Sequence, residues 1–562
     1  MLQALQNAYF SLFYKQLLKP PINKKVLFVG FLLIVIAGIR VYYNLYDYMD
    51  IVYGDEAVYM KIGLNIAEDF NRDWGPIYCL WYKFLSIFIK DTVQLYYFNF
   101  AFIAIIAALV LYATFIFLDI HPLVALYFAL CFVASRAIVP LWPRISLFTL
   151  SILLSGIILL SRLSEWYKKL LVFCTVLLIA CYARPELYLS FIISLFVFLI
   201  YFIKSEKYKQ KNVWPTVALF AVTILLLHSL FLFPSNQYAG YPRSLAAFYQ
   251  HYLINRFFEG LSSEYDWIYW KDVHHDFFKN SKTIWEVIWN FPNEFFWHVG
   301  LNIKRYFEEL FIKGLCLSFP YLLGKNKLLI AGSLAVTIGA LFFLIFPGVR
   351  SAYLTNLKKY QFYFLLFGII GIPTVFSAIF VFPREHYVLL NYMLLMFPLV
   401  LLWSTILRVI NFPSSYKLLL IVGCCLIPLF ASCKYYDFFL TDKVRFHMCS
   451  RKALLHVKNK SLDPNKQYTF FSDIHYFIGF LPNNVSEINT IFDKTKDISF
   501  ETILKYHKPD IILVNNCLDE SPSMRNDKYW KLFKKNPTTF GYHYEFVKDC
   551  PYYFLVLDAD SK

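Results

Sequence analysis

A succession of long, uncharged apolar runs constrains this chain more than any other feature. A run of about 20 apolar residues is long enough, as a helix, to cross the hydrocarbon core of a bilayer. About eleven such runs are present, and they predict a polytopic α-helical membrane protein. The runs lie at about 26–46, 94–118, 121–140, 145–161, 169–183, 186–203, 213–233, 327–347, 361–381, 387–407 and 416–432.

The composition agrees with burial in lipid. Apolar residues make up 59% of the chain and charged residues 16%, with a mean hydropathy of +0.50. Soluble globular proteins are nearer half apolar and a quarter charged. A net charge of +16 would suit a nucleic-acid partner if the basic residues shared one patch, but here they form short clusters between apolar runs. No nucleic-acid partner is therefore expected.

These basic clusters also predict the orientation of the chain. With eleven spans they all fall on one side, which the positive-inside rule assigns to the cytoplasm. The N-terminus is then cytoplasmic and the C-terminus extracytoplasmic, and the first span lacks the cleavage site of a signal peptide. The clusters are Lys15, Lys19, Lys24 and Lys25; Arg162, Lys168 and Lys169; Lys204, Lys207, Lys209 and Lys211; Arg350, Lys358 and Lys359; and Arg408 with Lys417.

The orientation divides the chain into two parts. A membrane module covers 1–432, with a first outer loop at 47–93 and a large outer loop at 234–326, and a separate extracytoplasmic domain covers 433–562. Runs at 468–472, 510–514 and 553–557 predict buried strands with helices between them, hence a small α/β domain. Cys517 and Cys550 flank predicted strands in an oxidising compartment, which makes them a candidate disulfide pair.

Asp55 and Glu56 directly follow the first span and begin a predicted helix that runs to about Glu68. One interpretation is local, with Asp55 as the N-cap and Glu56 interacting with the helix dipole. The other is a catalytic carboxylate at the membrane surface that acts as a general base. The two interpretations are compatible, because a capping position would also hold the carboxylate rigidly.

The segment Gly54-Asp55-Glu56-Ala57-x-Tyr59 resembles the acidic motif in the first outer loop of the GT-C glycosyltransferases. The most similar branch contains the protein mannosyltransferases and the aminoarabinose transferase of lipid A, with their bacterial relatives. The segment from Trp74 to Lys83 is similar to the proline-aromatic segment of the same loop. The resemblance covers about the first 400 residues, and the expected number of spans and the large outer loop agree with it.

The resemblance implies a hexosyl- or pentosyltransferase of the cell envelope, placed in a bacterial inner membrane. Such an enzyme transfers a sugar from a polyprenyl-phosphate donor to a lipid, glycan or protein acceptor, usually with inversion. The reaction requires a base for the acceptor proton, for which Asp55 is the first candidate and Glu56 the second. Tyr59, Tyr82, Glu186 and His386 are candidate substrate-binding residues.

The phosphate of such a donor requires cations on the outer side. Arg184 and Arg384, each beside a proline at a span junction, stand there against the positive-inside trend, and guanidinium groups bind phosphate bidentately. Lys83 is a further candidate, and Arg136 and Arg144 are weaker ones. The alternative for each is an arginine or lysine that anchors a helix at the interface, with Pro185 merely beginning a helix.

Two patterns in the large outer loop have simpler explanations. His251 and the run His274-His275-Asp276 lack the spacing of a metal site, so no metal or other cofactor is expected. The aromatic residues of this loop fit a sugar-stacking surface or, more simply, an aromatic belt at the membrane interface. These aromatic residues are Tyr265, Trp267, Tyr269 and Trp270.

Two other classes of protein remain open. A transporter or flippase of a lipid-linked or small anionic substrate would place ionisable residues near the middle of the membrane and use broken helices. The charges here gather at one interface, which favours chemistry at the membrane surface. A non-catalytic GT-C-like scaffold is the third class, and it would be insensitive to removal of the Asp55 carboxylate. The sequence does not indicate the particular sugar or acceptor.

Overall fold

The structure, a computed structural model, describes most of the chain. The described residues are 24–66, 75–231, 237–238, 241–262, 275–322, 324–410, 421–424, 426–427, 429–436, 448–460, 462–472, 477–488, 499–520 and 524–558.

The chain is mostly helical up to residue 409. The first half forms α1 (Lys24–Tyr42), α2 (Leu45–Tyr48), α3 (Asp55–Leu64), α4 (Pro76–Leu85), α5 (Thr92–Phe117), α6 (Pro122–Val133), α7 (Ile145–Ser161), α8 (Trp166–Cys181), α9 (Leu187–Lys204) and α10 (Trp214–Phe231). A two-residue hairpin, β1 (Gln237–Tyr238) and β2 (Tyr241–Pro242), follows. The next helices are α11 (Arg243–Phe258), α12 (Ile284–Asn290), α13 (Pro292–Glu308), α14 (Gly314–Cys316), α15 (Asn326–Phe342), α16 (Pro347–Lys359), α17 (Gln361–Phe380) and α18 (Glu385–Val409).

Seven helical segments among the described residues are long and apolar enough to cross a bilayer, as expected of a multi-pass membrane protein. The segments are Lys24–Tyr48, Thr92–Phe117, Leu187–Lys204, Lys211–Phe231, Asn326–Ile345, Gln361–Phe380 and Glu385–Val409. Three other expected spans form the shorter helices α6, α7 and α8, and the expected span at 416–432 lies partly outside the described residues. Pro373 and Pro398 lie inside α17 and α18, where packed neighbouring helices make an internal proline tolerable.

The segment 47–93, expected to be the first outer loop, differs from the sequence prediction at both ends of its first helix. Gly54 occupies the N-cap position with φ 114°, and Asp55 is the first residue of α3, so the prediction of Asp55 as the N-cap is wrong. A Cβ at Gly54 would approach the Trp142 ring to 3.3 Å, so both the backbone angle and the close contact favour glycine. The helix ends at Leu64 rather than near Glu68. Pro76 begins α4 at a position where its missing N–H is harmless.

The C-terminal part forms a small α/β unit. It contains α19 (Cys449–Asn459), β3 (Tyr468–Phe471), β4 (Val485–Glu487), α20 (Phe500–His507), β5 (Ile511–Val514), α21 (Asn516–Glu520), α22 (Lys528–Lys535), β6 (Tyr542–Phe546) and β7 (Tyr553–Leu557). The strand order is β4-β3-β5-β7-β6, with β3 parallel to β4 and β5, and β7 antiparallel to β5 and β6. The three apolar runs expected to be strands are confirmed as β3, β5 and β7.

The C-terminal unit packs on the loop that carries Asp55. The 3-10 turn Phe477–Phe480 contacts α3 so closely that a Cβ at Gly479 would lie 3.1 Å from the Ala57 carbonyl oxygen. Asp50, buried between α2 and α3, accepts hydrogen bonds of 2.9 and 2.8 Å from the backbone amides of Ser450 and Arg451 at the start of α19. The position of α3 therefore depends on the C-terminal unit as well as on the membrane helices.

One disulfide crosses the C-terminal unit, and it differs from the candidate pair. Cys550 is bonded to Cys449 at the start of α19, with their Cα atoms 5.6 Å apart, so a bond between Cys550 and Cys517 is excluded. Cys449 begins a helix rather than flanking a strand, so the positions of the predicted strands did not indicate it. The bond joins two segments that are 101 residues apart in sequence.

Candidate functional site

A cavity of about 570 Å³ lies at the end of the helical bundle that carries α3. Its wall is formed by the start of α3, the residues before α7, the α8–α9 junction, the start of α11, the end of α17 and the start of α18. Five residues proposed from the sequence line it together, namely Asp55, Tyr59, Arg184, Glu186 and His386. The cavity thus brings together residues that are far apart along the chain.

Asp55 presents its carboxylate at the cavity wall. It is the first residue of α3, partly exposed, and lies beside the positive end of the helix dipole. None of the described residues donates a hydrogen bond to this carboxylate or forms an ion pair with it within 4.0 Å. Since α3 places Asp55 rigidly and none of the described residues is hydrogen-bonded to its carboxylate, Asp55 is suited to accept a proton from a bound molecule.

Arg184 and Glu186 form an ion pair in the cavity wall. The Arg184 Nε donates a hydrogen bond of 2.5 Å to Glu186, and its Nη1 donates one of 2.6 Å to the Ser146 hydroxyl. Its guanidinium carbon also lies 4.9 Å from the centroid of the Tyr387 ring. Burial alone would lower the pKa of Arg184, but the charge of Glu186 and the contact with Tyr387 raise it above its ordinary value. Arg184 is therefore a fixed cation with an anionic partner.

Arg243 is a second cavity cation, and the sequence analysis did not select it. It is the first residue of α11, and its charge interacts with Tyr59, Tyr387, Glu186 and Asp55. Burial opposes its charge, but these neighbours raise the pKa of Arg243 above its ordinary value. A signal for it was present, because Pro242-Arg243 repeats the proline–arginine pairing of Pro383-Arg384.

Aromatic and imidazole groups complete the polar part of the wall. Burial raises the pKa of the Tyr59 phenol well above its usual value, so Tyr59 is a neutral hydroxyl at pH 7. His386 is buried at the start of α18, and its ring lies 4.2 Å, centroid to centroid, from that of Tyr387. Tyr188 also lines the cavity. These groups supply flat surfaces and hydrogen-bonding atoms beside the charged residues.

Glu56 faces away from the cavity and is 1% exposed. Its Oε1 accepts hydrogen bonds of 2.5 Å from Tyr78 and Tyr82 and one of 3.0 Å from Asn99. Its Oε2 accepts one of 2.9 Å from the backbone amide of Arg144. Burial raises the pKa of Glu56, and the hydrogen bonds from the two phenols oppose that rise. Glu56 and Tyr82 thus connect α3 to α4 and to the segment before α7.

The other basic residues proposed from the sequence do not line the cavity. The exposed Lys83 amine donates a hydrogen bond of 3.1 Å to the Leu64 carbonyl oxygen. Arg384 is half-buried just before α18. Arg136 donates to Asn326 at 2.8 Å. Arg144 is fully buried, donates to two backbone carbonyl groups and lies 3.3 Å from the centroid of the Phe100 ring, so it supports the segment between α6 and α7.

His251 and His275, in the segment 234–326, lie in different surroundings. The His251 Nδ1–H donates a hydrogen bond of 2.7 Å to the Ala247 carbonyl oxygen, and the ring stacks on Phe382. His275 lies beside Asp276 at the surface, 3.0 Å from its carboxylate. Within the described part of the chain, no group of three or more His, Cys, Asp or Glu residues is arranged to hold a metal ion. His274, Tyr265, Trp267, Tyr269 and Trp270 lie outside the described residues.

Comparisons with known proteins found no relative of this chain. No protein-family model, no curated protein and no solved structure matches this chain. The chemistry of the cavity therefore rests on its residues: a carboxylate to which none of the described residues is hydrogen-bonded, two arginines, a second carboxylate paired with one of them, and several aromatic side chains.

Proposed function

We propose that the protein is a polytopic glycosyltransferase of the GT-C type that uses a polyprenyl-phosphate sugar donor. The observation that carries the proposal is the presence of Asp55, Arg184 and Arg243 in one cavity at the end of helices suited to cross a bilayer. A volume of about 570 Å³ is within the range of about 300–1,000 Å³ that is typical of small-molecule sites.

In this proposal the donor phosphate binds between Arg184 and Arg243. Guanidinium groups bind phosphate oxygens through paired, charge-assisted hydrogen bonds. Because Arg184 is already paired with Glu186, the phosphate must compete with that carboxylate or share the guanidinium with it. Arg384 and Lys83, outside the cavity lining, are secondary candidates that attract the anionic donor over a longer range.

Asp55 is the proposed general base. It takes the proton from an acceptor hydroxyl as the hydroxyl oxygen attacks the anomeric carbon of the sugar. The bond from that carbon to the phosphate oxygen breaks, and its electron pair leaves with the polyprenyl phosphate. The sugar is then joined to a lipid, glycan or protein acceptor with inversion at the anomeric carbon, and no metal or other cofactor takes part in the proposed step.

The apolar part of the cavity wall suits a lipid-linked donor. Leu189 at the start of α9 and Val381 at the end of α17 line the cavity, and Leu189 is 45% exposed. An isoprenoid chain leaving the cavity between these helices would lie in the bilayer. This arrangement favours a donor held at its phosphate by the arginines and at its tail by lipid.

The proposed membrane arrangement keeps eleven crossings, with the N-terminus in the cytoplasm and the cavity on the extracytoplasmic face of a bacterial inner membrane. The basic clusters support this orientation. The Cys449–Cys550 disulfide supports it independently, because disulfides persist in oxidising compartments and the bonded unit packs against α3.

The proposal is tested by assaying purified protein in nanodiscs with a panel of polyprenyl-phosphate hexoses and pentoses. The expected result is donor-dependent release of polyprenyl phosphate that is lost in Asp55→Asn and retained in Asp47→Asn, a change at an exposed position in α2. Glycolipid and glycoprotein mass spectrometry of a deletion strain would identify the acceptor. Movement of intact donor between leaflets without release of sugar would instead indicate a flippase.

A further inference from the structure

Helix α13 carries an exposed apolar row beside the face that packs on the rest of the protein. The face that contacts the rest of the protein carries Phe295, His298 and Asn302. Beside it runs an exposed row, here called the apolar stripe, formed by Phe296, Ile303, Phe307 and Phe311. Ile303 follows Phe296 by seven residues, and Phe307 and Phe311 each follow the preceding member by four, which is the spacing of a single helix face. The row continues into the π-helical turn Glu309–Lys313.

The apolar stripe is large and uncovered. Phe296 is 62% exposed, Phe307 50% and Phe311 49%. In the preceding helix α12, Trp285 and Trp289 are also largely exposed. An exposed apolar row of this size marks a surface that contacts another protein or a membrane. The next face around α13 is polar and carries the exposed side chains of Asn293, Lys304 and Glu308.

Polar groups fix α13 to the end of a helix that is suited to cross the bilayer. The Asn302 amide donates hydrogen bonds to the carbonyl oxygens of Ile379 and Val381, at 2.9 and 3.2 Å. His298 Nε2 lies 3.0 Å from the same Val381 oxygen. These carbonyl groups at the end of α17 lack partners within their own helix, so α13 satisfies them. The stripe is thereby held at the level where α17 ends.

The exposed apolar surface of α17 continues to α13. Ile372, Phe376 and Phe380 occupy successive turns of α17 and are 40%, 50% and 36% exposed. Phe376 stacks on Phe380, and Phe380 in turn stacks on Phe295 of α13, with 6.0 Å between the latter ring centroids. A helix that crosses a bilayer presents such a row to lipid, and the row reaches the helix that carries the stripe.

We propose that α13 and the π-helical turn lie in the membrane interface, with the apolar stripe in contact with lipid and the polar face in water. Exposed tryptophans in α12, charged residues on the adjacent face and a phenylalanine-rich stripe are the chemistry of an interfacial amphipathic helix. The occupant of the stripe is the bilayer leaflet at the end of α17. Val381, whose carbonyl group is held by α13, also lines the cavity, so this lipid contact supports one cavity wall.

Site-directed spin labelling of the full-length protein in nanodiscs of phosphatidylethanolamine and phosphatidylglycerol tests this placement. Labels are attached to Phe296→Cys, Phe307→Cys and Lys304→Cys, the last as the matched position on the polar face of the same helix. The free cysteines of the described residues are buried, and wild-type protein treated with the label measures any background. Collisions with oxygen report lipid contact, and collisions with a water-soluble nickel chelate report contact with water.

The expected result is that oxygen collisions exceed nickel collisions at positions 296 and 307, and that the order is reversed at 304. Nickel accessibility at 296 and 307 equal to that at 304 would overturn the proposal. Loss of both kinds of collision with spin–spin broadening would also overturn it, because it would identify a second copy of the chain as the occupant. If one of the two phenylalanine variants folds poorly, the other still tests the placement of the stripe. The measurement does not depend on enzymatic activity.

Discussion

The phenol of Tyr78 donates a hydrogen bond of 2.5 Å to Oε1 of Glu56, in the interior beside the candidate site. Tyr82 donates to the same oxygen, and burial together with the Glu56 charge raises the pKa of both phenols well above the usual value. Both therefore remain hydrogen-bond donors at neutral pH. The cluster fixes the start of α3 and so fixes Asp55, whose own side chain faces the cavity.

Glu56→Gln is therefore expected to affect the stability of the fold more than the rate of catalysis. Hydrogen-bond donors approach both oxygens of the native carboxylate, but the glutamine amide keeps only one acceptor oxygen. A buried polar group left unpaired costs about 1–3 kcal/mol. The free energy of unfolding, measured by denaturant titration in detergent, should fall by about that amount. Glu165→Gln, at a partly exposed ion pair with Lys168, is the matched control and should change stability by less than about 1 kcal/mol. Unchanged stability in Glu56→Gln would contradict the structural role.

Asp55→Asn should abolish turnover while leaving the fold intact. The substitution preserves shape and removes the proton acceptor, and general-base catalysis contributes typically about 10²–10⁴ in rate. Because none of the described residues is bonded to this carboxylate, the melting temperature should stay close to that of wild type. The kcat for release of polyprenyl phosphate is the measurement, with Asp47→Asn as control. A decrease in kcat of less than about tenfold would show that another residue is the general base.

Arg184→Lys and Arg243→Lys should each reduce kcat/KM by about tenfold to a hundredfold, although both keep the positive charge. Lysine supplies a point charge without the paired donors of guanidinium, and a charge-assisted hydrogen bond contributes about 1.5–3 kcal/mol. Steady-state kinetics with varied donor separates the effects, since a change in KM alone indicates uniform binding of the phosphate. Arg136→Lys, outside the cavity, should behave as wild type. Equal kinetics in all three variants would remove the phosphate-binding role.

Glu186→Gln should strengthen binding of the donor phosphate. The carboxylate occupies the Arg184 guanidinium, and its neutral replacement competes less well with a phosphate anion. The expected outcome is a lower donor KM and stronger product inhibition by polyprenyl phosphate. Glu165→Gln again serves as the control. A higher donor KM would show that Glu186 binds the substrate itself, as a sugar-contacting group would.

The buried His298 should make the α13–α17 contact sensitive to acid. Burial lowers the pKa of His298 to about 4 from an ordinary value of about 6.5. Between these values the unfolded state binds more protons, so stability is complete above about pH 6.5 and is lost as the pH falls toward 4. The full loss is about 3 kcal/mol.

Thermal unfolding of wild type and His298→Gln from about pH 7.5 to about 4.5 measures this effect. The glutamine variant cannot titrate, so its stability should depend less steeply on pH. His275→Gln, at an exposed histidine, should retain the wild-type dependence. Parallel curves for wild type and His298→Gln would contradict the assignment.

Local sequence information was sufficient for much of the fold. Apolar length is a property of a continuous segment, so runs such as 94–118 and 361–381 matched α5 and α17 closely. Three of the five strands of the C-terminal unit, β3, β5 and β7, were also predicted from their apolar runs. The runs at 145–161 and 169–183 likewise correspond to α7 and α8, whereas the run at 121–140 contains the shorter helix α6.

The amino-acid sequence by itself determined a membrane class, the candidate pair Asp55 and Glu56, and Arg184 as a cation against the charge trend. Only the tertiary structure decided which carboxylate of the pair faces the cavity, because neighbouring residues on a helix point about 100° apart and packing chooses between them. It also decided that Arg243 lines the same cavity as Asp55 and that Cys449 forms a disulfide with Cys550. Such contacts join distant segments, and their geometry is set by how the helices and the C-terminal unit pack rather than by any local pattern.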